Sequence, residues 1–244
     1  MNISLGQGDT GTTALLRRGY AICTSPRSGS NFLCQLLSTT GVLGHPLEYF
    51  NGPARRVLTD PSYPQEPAEQ IAWILQRGAT PNGVFGVKLF AEQHDAVAAQ
   101  LPWTRALPNQ RFVYLARQDL LGQAISWARA LQTSQYRSTQ PIQGVAVYDG
   151  ALIRNRIEAI ARECARWSMF FARTGIEPVR LLYEDIVKRP QEAVDRVAAL
   201  VGLERPAIVV PSGLDLAIQR DGVTDEWRAR FCAEQGDPDF VNRL

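Results

Sequence analysis

Four short apolar runs are spaced along the chain: Gly19-Tyr20-Ala21-Ile22-Cys23, Val84-Phe85-Gly86-Val87-Lys88-Leu89, Arg111-Phe112-Val113-Tyr114-Leu115 and Val179-Arg180-Leu181-Leu182-Tyr183. Continuous apolar runs of this length, bounded by charges or turn formers, have the profile of buried strands. Between them apolar residues recur every three or four positions, which predicts helices over 29–39, 66–77, 91–100, 119–131, 152–174, 190–201 and 224–232. Gly41 and Gly202 supply stops, and Asp119 and Thr224 are candidate N-caps. The helix over 152–174 is the longest, and its stripe of Ile153, Ile157, Ile160, Cys164, Trp167 and Phe171 marks it as a packing element. Strands alternating with helices predict an α/β fold with a central parallel sheet flanked by helices, because parallel neighbours need crossover connections. The stretch 45–65 is punctuated by proline and glycine and reads as a long irregular segment, of the kind compact domains reserve for function. The polar stretch 133–144 reads as exposed, and the two together are a candidate rim for a ligand.

Composition narrows this picture. With 244 residues, 45% hydrophobic and 20% charged, the chain can bury a core without disulfide or metal staples, which excludes disordered, collagen-like and small disulfide-rich classes. The expected organisation is a loose N-terminal segment over 1–17 and a single domain over 18–244. A net charge of +2 advertises no polyanionic partner, so nucleic acid is not expected and any anion site must be local. Lys88 and Lys188 are the only lysines; the other basic residues are arginines, the side chain suited to gripping phosphate or carboxylate with two parallel bonds. Four cysteines without C-x-x-C spacing and only two histidines, His45 and His94, argue against a structural zinc, and no metal is expected. The first residues lack a basic segment followed by an apolar run, and no stretch is apolar enough to span a membrane; a cytoplasmic protein is the expectation.

The candidate chemistry begins where the first strand hands over to the first helix, at Thr24-Ser25-Pro26-Arg27-Ser28-Gly29-Ser30-Asn31-Phe32. Amides at a helix N-terminus lack internal partners and face the positive end of the helix dipole, so an anion can sit there with Arg27 closing on it. The alternative is that Ser28-Gly29-Ser30 merely turns the chain and Ser28 caps the helix. A nucleotide-hydrolysing loop needs G-x-x-x-x-G-K-[ST]; Ser30 follows Gly29 and no lysine falls in the loop, which disfavours that chemistry. Arg117, leaving the third strand, and Ser126, on the next helix, form a second anion-binding candidate. Alone they are sufficiently explained by Asp119 as a helix cap and Arg117 as a surface ion-pair partner, and that explanation is the stronger one.

Together the two sites resemble the cofactor signatures of sulfotransferases that use 3′-phosphoadenosine-5′-phosphosulfate (PAPS), in the bacterial trehalose sulfotransferase-like branch. The resemblance rests on Arg27-Ser28-Gly29-Ser30, Thr40-Gly41-Val42 leading to Pro46-x-Glu48-Tyr49-Phe50, Pro81-Asn82-Gly83-Val84 with Gly86 and Lys88-Leu89, Arg117-x-Asp119 with Gln123-Ala124 and Ser126, and Asp225-Glu226-Trp227, in order over nearly the whole chain. It departs from the branch at Pro26, His45 and Asn31, and near the C-terminus, where Ile218-Gln219-Arg220-Asp221 places the arginine later than the pattern does. The resemblance implies a single P-loop-like three-layer domain, PAPS as sulfuryl donor without a metal, and a sugar or glycolipid precursor as acceptor, with a homodimeric assembly. It implies cofactor contacts from Arg27, Ser28, Gly29, Ser30, Asn31, Phe32, Arg117, Ser126 and Arg220, with Arg27 as the catalytic clamp. It also implies Glu48 as general base, and acceptor contacts from His45, Glu48, Tyr49 and Phe50. Burial beside Tyr49 and Phe50 is expected to raise the Glu48 pKa towards the working range of a base. Lys88 is a helper or a structural cation. Competing expectations are a P-loop-type kinase or phosphotransferase and a nucleotide-binding protein without catalysis.

Overall fold

The computed structural model describes residues 17–137, 139–214 and 222–242. All four apolar runs are strands, β1 (Arg18–Thr24), β2 (Val84–Phe90), β3 (Gln110–Ala116) and β4 (Val179–Leu182), in one parallel sheet of order β2-β1-β3-β4. Side chains alternate across it as a pleated strand requires. Tyr20 and Ile22 of β1 join Val113, Leu115 and Leu181 on one face, and Ala21 and Cys23 join Phe85, Val87, Leu89 and Phe112 on the other.

Both faces are covered, which makes three layers and the expected P-loop-like α/β arrangement. The first face packs on α1 (Ser30–Thr39) and, from later in the chain, α8 (Tyr183–Lys188) and α9 (Pro190–Leu200). The second packs on α3 (Pro67–Arg77), α4 (Ala91–Ala98), α5 (Trp103–Ala106) and the long α7 (Gly150–Thr174). A third cluster, built on Ala124, Ile125, Ala128, Ile153, Ile160 and Trp227, joins α6 (Leu120–Thr133) and α10 (Gly222–Gln235) to α7 beyond the sheet. The long helix is thus the packing element its stripe implied.

Three local expectations are corrected. The segment 45–65 contains a helix, α2 (Gly52–Leu58), started by Asn51, whose side chain accepts from the Ala54 amide, and by Pro53 in its first turn. Tyr183 does not end β4; it opens α8. Thr224 lies inside α10 instead of capping it, and its hydroxyl accepts from Arg129. The expected loose segment 1–17 falls, except for Arg17, outside the described residues.

The strand order fixes where a ligand can sit. The chain leaves β1 towards β2 on one side, then returns across β1 to β3 on the other. The loops after β1 and β3 therefore diverge at their carboxyl ends and leave a crevice, the usual ligand position in open parallel sheets.

Candidate active site

A cleft of about 1900 Å³ opens at that crevice. Its floor is the turn between β1 and α1, held by buried hydrogen bonds from three other elements. The Thr24 hydroxyl donates to the Leu115 carbonyl at 2.9 Å, the Trp167 indole donates to the Thr24 carbonyl at 2.8 Å, and the Gln123 amide donates to Ser25 Oγ at 2.9 Å and to the Pro26 carbonyl at 2.6 Å. This scaffold supports two unusual backbone positions. Gly29 has φ +85°, and a Cβ there would stand 2.1 Å from the Tyr183 ring, so only glycine fits. Arg27 has φ 62°, a conformation uncommon for a residue with a side chain and found where surrounding structure enforces it.

Two guanidinium groups meet over this turn. Arg27 Nε donates to Ser126 Oγ at 3.0 Å and Nη1 to the Tyr136 carbonyl, while Arg117 Nη1 donates to the Arg27 carbonyl at 3.4 Å. Burial, and next the Arg117 charge, lower the pKa of Arg27. Arg117 lies over the Tyr183 ring at 5.0 Å, and its buried Nε has no hydrogen-bond partner. Its acidic neighbour Asp119 is largely engaged elsewhere: Asp119 caps α6 through the Gly122 amide and pairs with Arg228 at 2.7 Å, against 3.5 Å to Arg117. The Glu184 carboxylate accepts from the Gln118 and Asp119 amides and so holds the turn after β3. The arrangement leaves concentrated positive charge beside the unpaired first-turn amides of a ten-residue helix, a seat for an oxyanion.

The opposite wall of the cleft is built differently. The Lys88 amide donates to the Leu47 carbonyl at 2.9 Å, which docks the start of 45–65 on the outer edge of β2 and sets Glu48 beside Lys88. Lys88 is 3% exposed; its Nζ meets Glu48 Oε1 at 2.7 Å and donates to Asn31 Oδ1 at 2.6 Å. Glu48 Oε2 accepts from Asn51 Nδ2 at 3.1 Å and Gln93 Nε2 at 3.2 Å. Burial pushes the Glu48 pKa up, but the Lys88 charge and the three hydrogen bonds outweigh it and hold the carboxyl at about 2. The expected upward shift is therefore overturned: a counterion from a strand forty residues away outweighs burial.

The structure brings together Arg27, Gly29, Ser30, Asn31, Phe32, Glu48, Arg117 and Ser126, all lining one cleft, with Lys88 between its two walls. It does not bring the others. The Ser28 hydroxyl is fully buried against Thr24 Oγ1 at 2.6 Å, and Gly29 takes the N-cap position without a side-chain cap. Tyr49 is in the core with its hydroxyl on the His45 carbonyl at 2.8 Å, and Phe50 packs edge-on against Trp103, so neither lines the cleft. His45 is solvent-exposed outside it. Arg220 lies outside the described residues. Sequence reading missed Asn51 and Gln93 as partners of Glu48, and Tyr183 as the ring between Gly29 and Arg117. The Asn51-x-Pro53 start signal of α2 was present in the chain; nothing local marks Gln93. The rim is formed by α2 and by residues 133–137 and 140–146, as the two stretches suggested.

A family profile described as Stf0 sulphotransferase matches residues 19–234. A trehalose 2-sulfotransferase of Mycobacterium tuberculosis (strain Erdman) is 31% identical, with 89% of this chain and 95% of that protein covered. A trehalose 2-sulfotransferase of Mycolicibacterium smegmatis is 27% identical over 87% and 93%. Among solved structures, a sulfotransferase from Alicyclobacillus acidocaldarius aligns over 89% of this chain and 92% of that one, with a TM-score of 0.46 and 15% identity. The sulfotransferase domain of the Synechococcus PCC 7002 olefin synthase aligns over 87% of each, with a TM-score of 0.45 and 15% identity.

Proposed function

The chain belongs to the Stf0 sulphotransferase family and is a sulfotransferase, and from that premise we propose that it transfers a sulfuryl group from PAPS to a hydroxyl of a carbohydrate or glycolipid precursor, trehalose-like acceptors included. The observation that carries this reading is the meeting of Arg27 and Arg117 over the β1–α1 turn, one wall away from a carboxylate that faces the same cleft. The fit to a doubly anionic nucleotide is supported by the unpartnered buried Nε of Arg117 and by the left-handed turn at Gly29 that opens α1.

PAPS, when bound, supplies an activated sulfuryl group on its 5′-phosphate and a second anion on its 3′-oxygen. In this reading the first-turn amides of α1 and Arg27 hold the 5′ group, and Arg117 with Ser126 holds the 3′-phosphate. Charge-assisted bonds of this type contribute about 1.5–3 kcal/mol each, so a few of them bind such a ligand at a net chain charge near zero. Arg27 and Lys88 stand where negative charge on the transferred group would be neutralised, the role preorganised donors play in the related phosphoryl transfers. Glu48 orients the acceptor hydroxyl by accepting its hydrogen bond. With a pKa of about 2 it takes the proton only as that hydroxyl turns acidic in the course of transfer. The rim carries exposed Val57, Leu58, Ile142 and Val145, which suit the apolar part of a glycolipid.

Thermal unfolding tests the donor assignment. At about 100 times its Kd, 3′,5′-ADP contributes ~2.7 kcal/mol, or roughly 5–10 °C in a protein of this size, without Mg²⁺. Stabilisation by Mg²⁺·ATP and none by 3′,5′-ADP would overturn it. Among the described residues no helix is long and apolar enough to cross a membrane. The homodimer belongs to the same reading, and light scattering at twice the chain mass checks it.

A further inference from the structure

Beyond Glu48 the cleft wall holds a cation whose side chain has no ion-pair or hydrogen-bond partner among the described residues. Arg55 lies on α2 one turn after Asn51, whose amide binds Glu48. It lines the cleft although it is only 6% exposed, and its buried Nε has no hydrogen-bond partner. Among the described residues no carboxylate forms an ion pair with it. Glu48 is the nearby acid and is already engaged by Lys88, Asn51 and Gln93. Burial disfavours the Arg55 charge; Glu48 attracts it without contact, and Arg137 of the facing rim segment, lining the same cleft, repels it.

Buried charges persist when something pairs them, and among the described residues no side chain forms an ion pair or hydrogen bond with Arg55. A ligand that does so must present an oxyanion to a planar fork of N–H donors. In the reading proposed above, the anions of the donor are taken up by Arg27, Arg117 and Ser126 over the β1–α1 turn. A run of contacts leads from Asn31 through Lys88 and Glu48 to Asn51, one helical turn before Arg55, which puts Arg55 on the Glu48 wall. We propose that the acceptor carries an oxyanion, a phosphate monoester or a carboxylate, on the same molecule as the hydroxyl that is sulfated, and that Arg55, with Arg137, binds it. This rests on reading the Glu48 wall as the acceptor side, and it makes a neutral sugar a poorer ligand than its acidic counterpart.

The test is calorimetric binding to the full chain, saturated with 3′,5′-ADP, of three matched probes: trehalose, trehalose 6-phosphate and the corresponding 6-uronic acid. The two charged probes separate the two sources of the oxyanion. At least one of them binds about tenfold or more tighter than trehalose, and Arg55→Gln brings the two within about threefold while Arg55→Lys keeps part of the preference. Because the substitution removes an unpaired buried charge, Arg55→Gln is expected to unfold no lower than the parent without ligand. Should it fail to fold, the wild-type protein still decides: the charged probe's advantage must shrink as salt is raised, since it is electrostatic. Equal binding of charged and neutral probes, no binding of any probe, a preference insensitive to salt, or a preference that survives intact in Arg55→Gln overturns the proposal. A charged-probe preference in a protein that does not bind 3′,5′-ADP would sink the donor assignment and leave this inference standing; 3′,5′-ADP binding without such a preference would do the reverse.

Discussion

The two walls of the cleft handle charge in opposite ways. Over the β1–α1 turn, Arg27 and Arg117 lie together with Asp119 drawn off by Arg228, so like charges are held side by side by a rigid buried scaffold. At the other wall, Glu48 and Lys88 neutralise each other at 2.7 Å and their remaining bonding capacity goes to Asn31, Asn51 and Gln93. The first wall keeps two like charges together; on the second the Glu48–Lys88 pair neutralises itself. The difference shows that burial alone does not set the direction in which a cleft carboxylate's pKa moves. The same burial that would raise its pKa also strengthens the pull of its counterion.

Breaking the first wall is expected to do the most. Arg27→Ala removes the clamp together with the bonds to Ser126 and Tyr136, and kcat/KM for sulfuryl transfer should fall about 10²–10³-fold, the cost of losing one preorganised donor to developing charge. Glu48→Gln keeps a side chain of the same shape on the second wall; steady-state kinetics should show turnover down about 10²-fold with 3′,5′-ADP affinity unchanged. Unchanged turnover would remove Glu48 from the reaction.

Lys88→Met probes the pairing itself. In the parent the Glu48 carboxyl sits at about 2, so its ionisation leaves no acid limb in the activity profile above about pH 4. With the counterion gone, burial is left as the leading influence and drives the pKa up, so kcat/KM should acquire an acid limb at or above pH ~4.3, falling as pH is lowered through it. A profile that stays flat there would show that Lys88 does not hold Glu48 ionised.

Gly29→Ala acts through geometry alone. A Cβ at φ +85° and 2.1 Å from the Tyr183 ring should cost about 1–3 kcal/mol in denaturant unfolding and weaken 3′,5′-ADP binding as the turn deforms. The smallest effect is expected at His45→Ala. His45 holds the structure through its amide on the Gly78 carbonyl and its carbonyl on Tyr49, both of which alanine keeps, so stability should stay within about 0.5 kcal/mol and activity close to the parent's.

The same contrast separates what could be read in the chain from what could not. β1 and β2 were legible as runs buried on both faces, β3 and β4 as shorter apolar runs each carrying an exposed arginine, and the β1–α1 turn because strand, small residues and helix follow one another locally. The α2 helix was obscured by Gly52, Pro53 and exposed Val57 and Leu58, which leave no apolar stripe to detect. Tyr183 continues an apolar run in the chain, whereas in the structure it opens α8 with its ring against Gly29 and Arg117. The direction of the Glu48 shift is not legible locally, because the deciding groups, Lys88 and Gln93, come from β2 and α4, far along the chain. Local pattern encodes the anion seat; only tertiary pairing defines the opposite wall.

The account's central claim is sulfuryl transfer from PAPS at this cleft, and the direct measurement is incubation of purified protein with PAPS labelled in its sulfuryl group and a panel of disaccharides, acidic sugars and glycolipid head groups. The account predicts label moving onto a hydroxyl of at least one panel member, at a rate lowered about 10²–10³-fold in Arg27→Ala. No transfer to any member by a folded protein, or transfer that Arg27→Ala leaves unchanged, would contradict it.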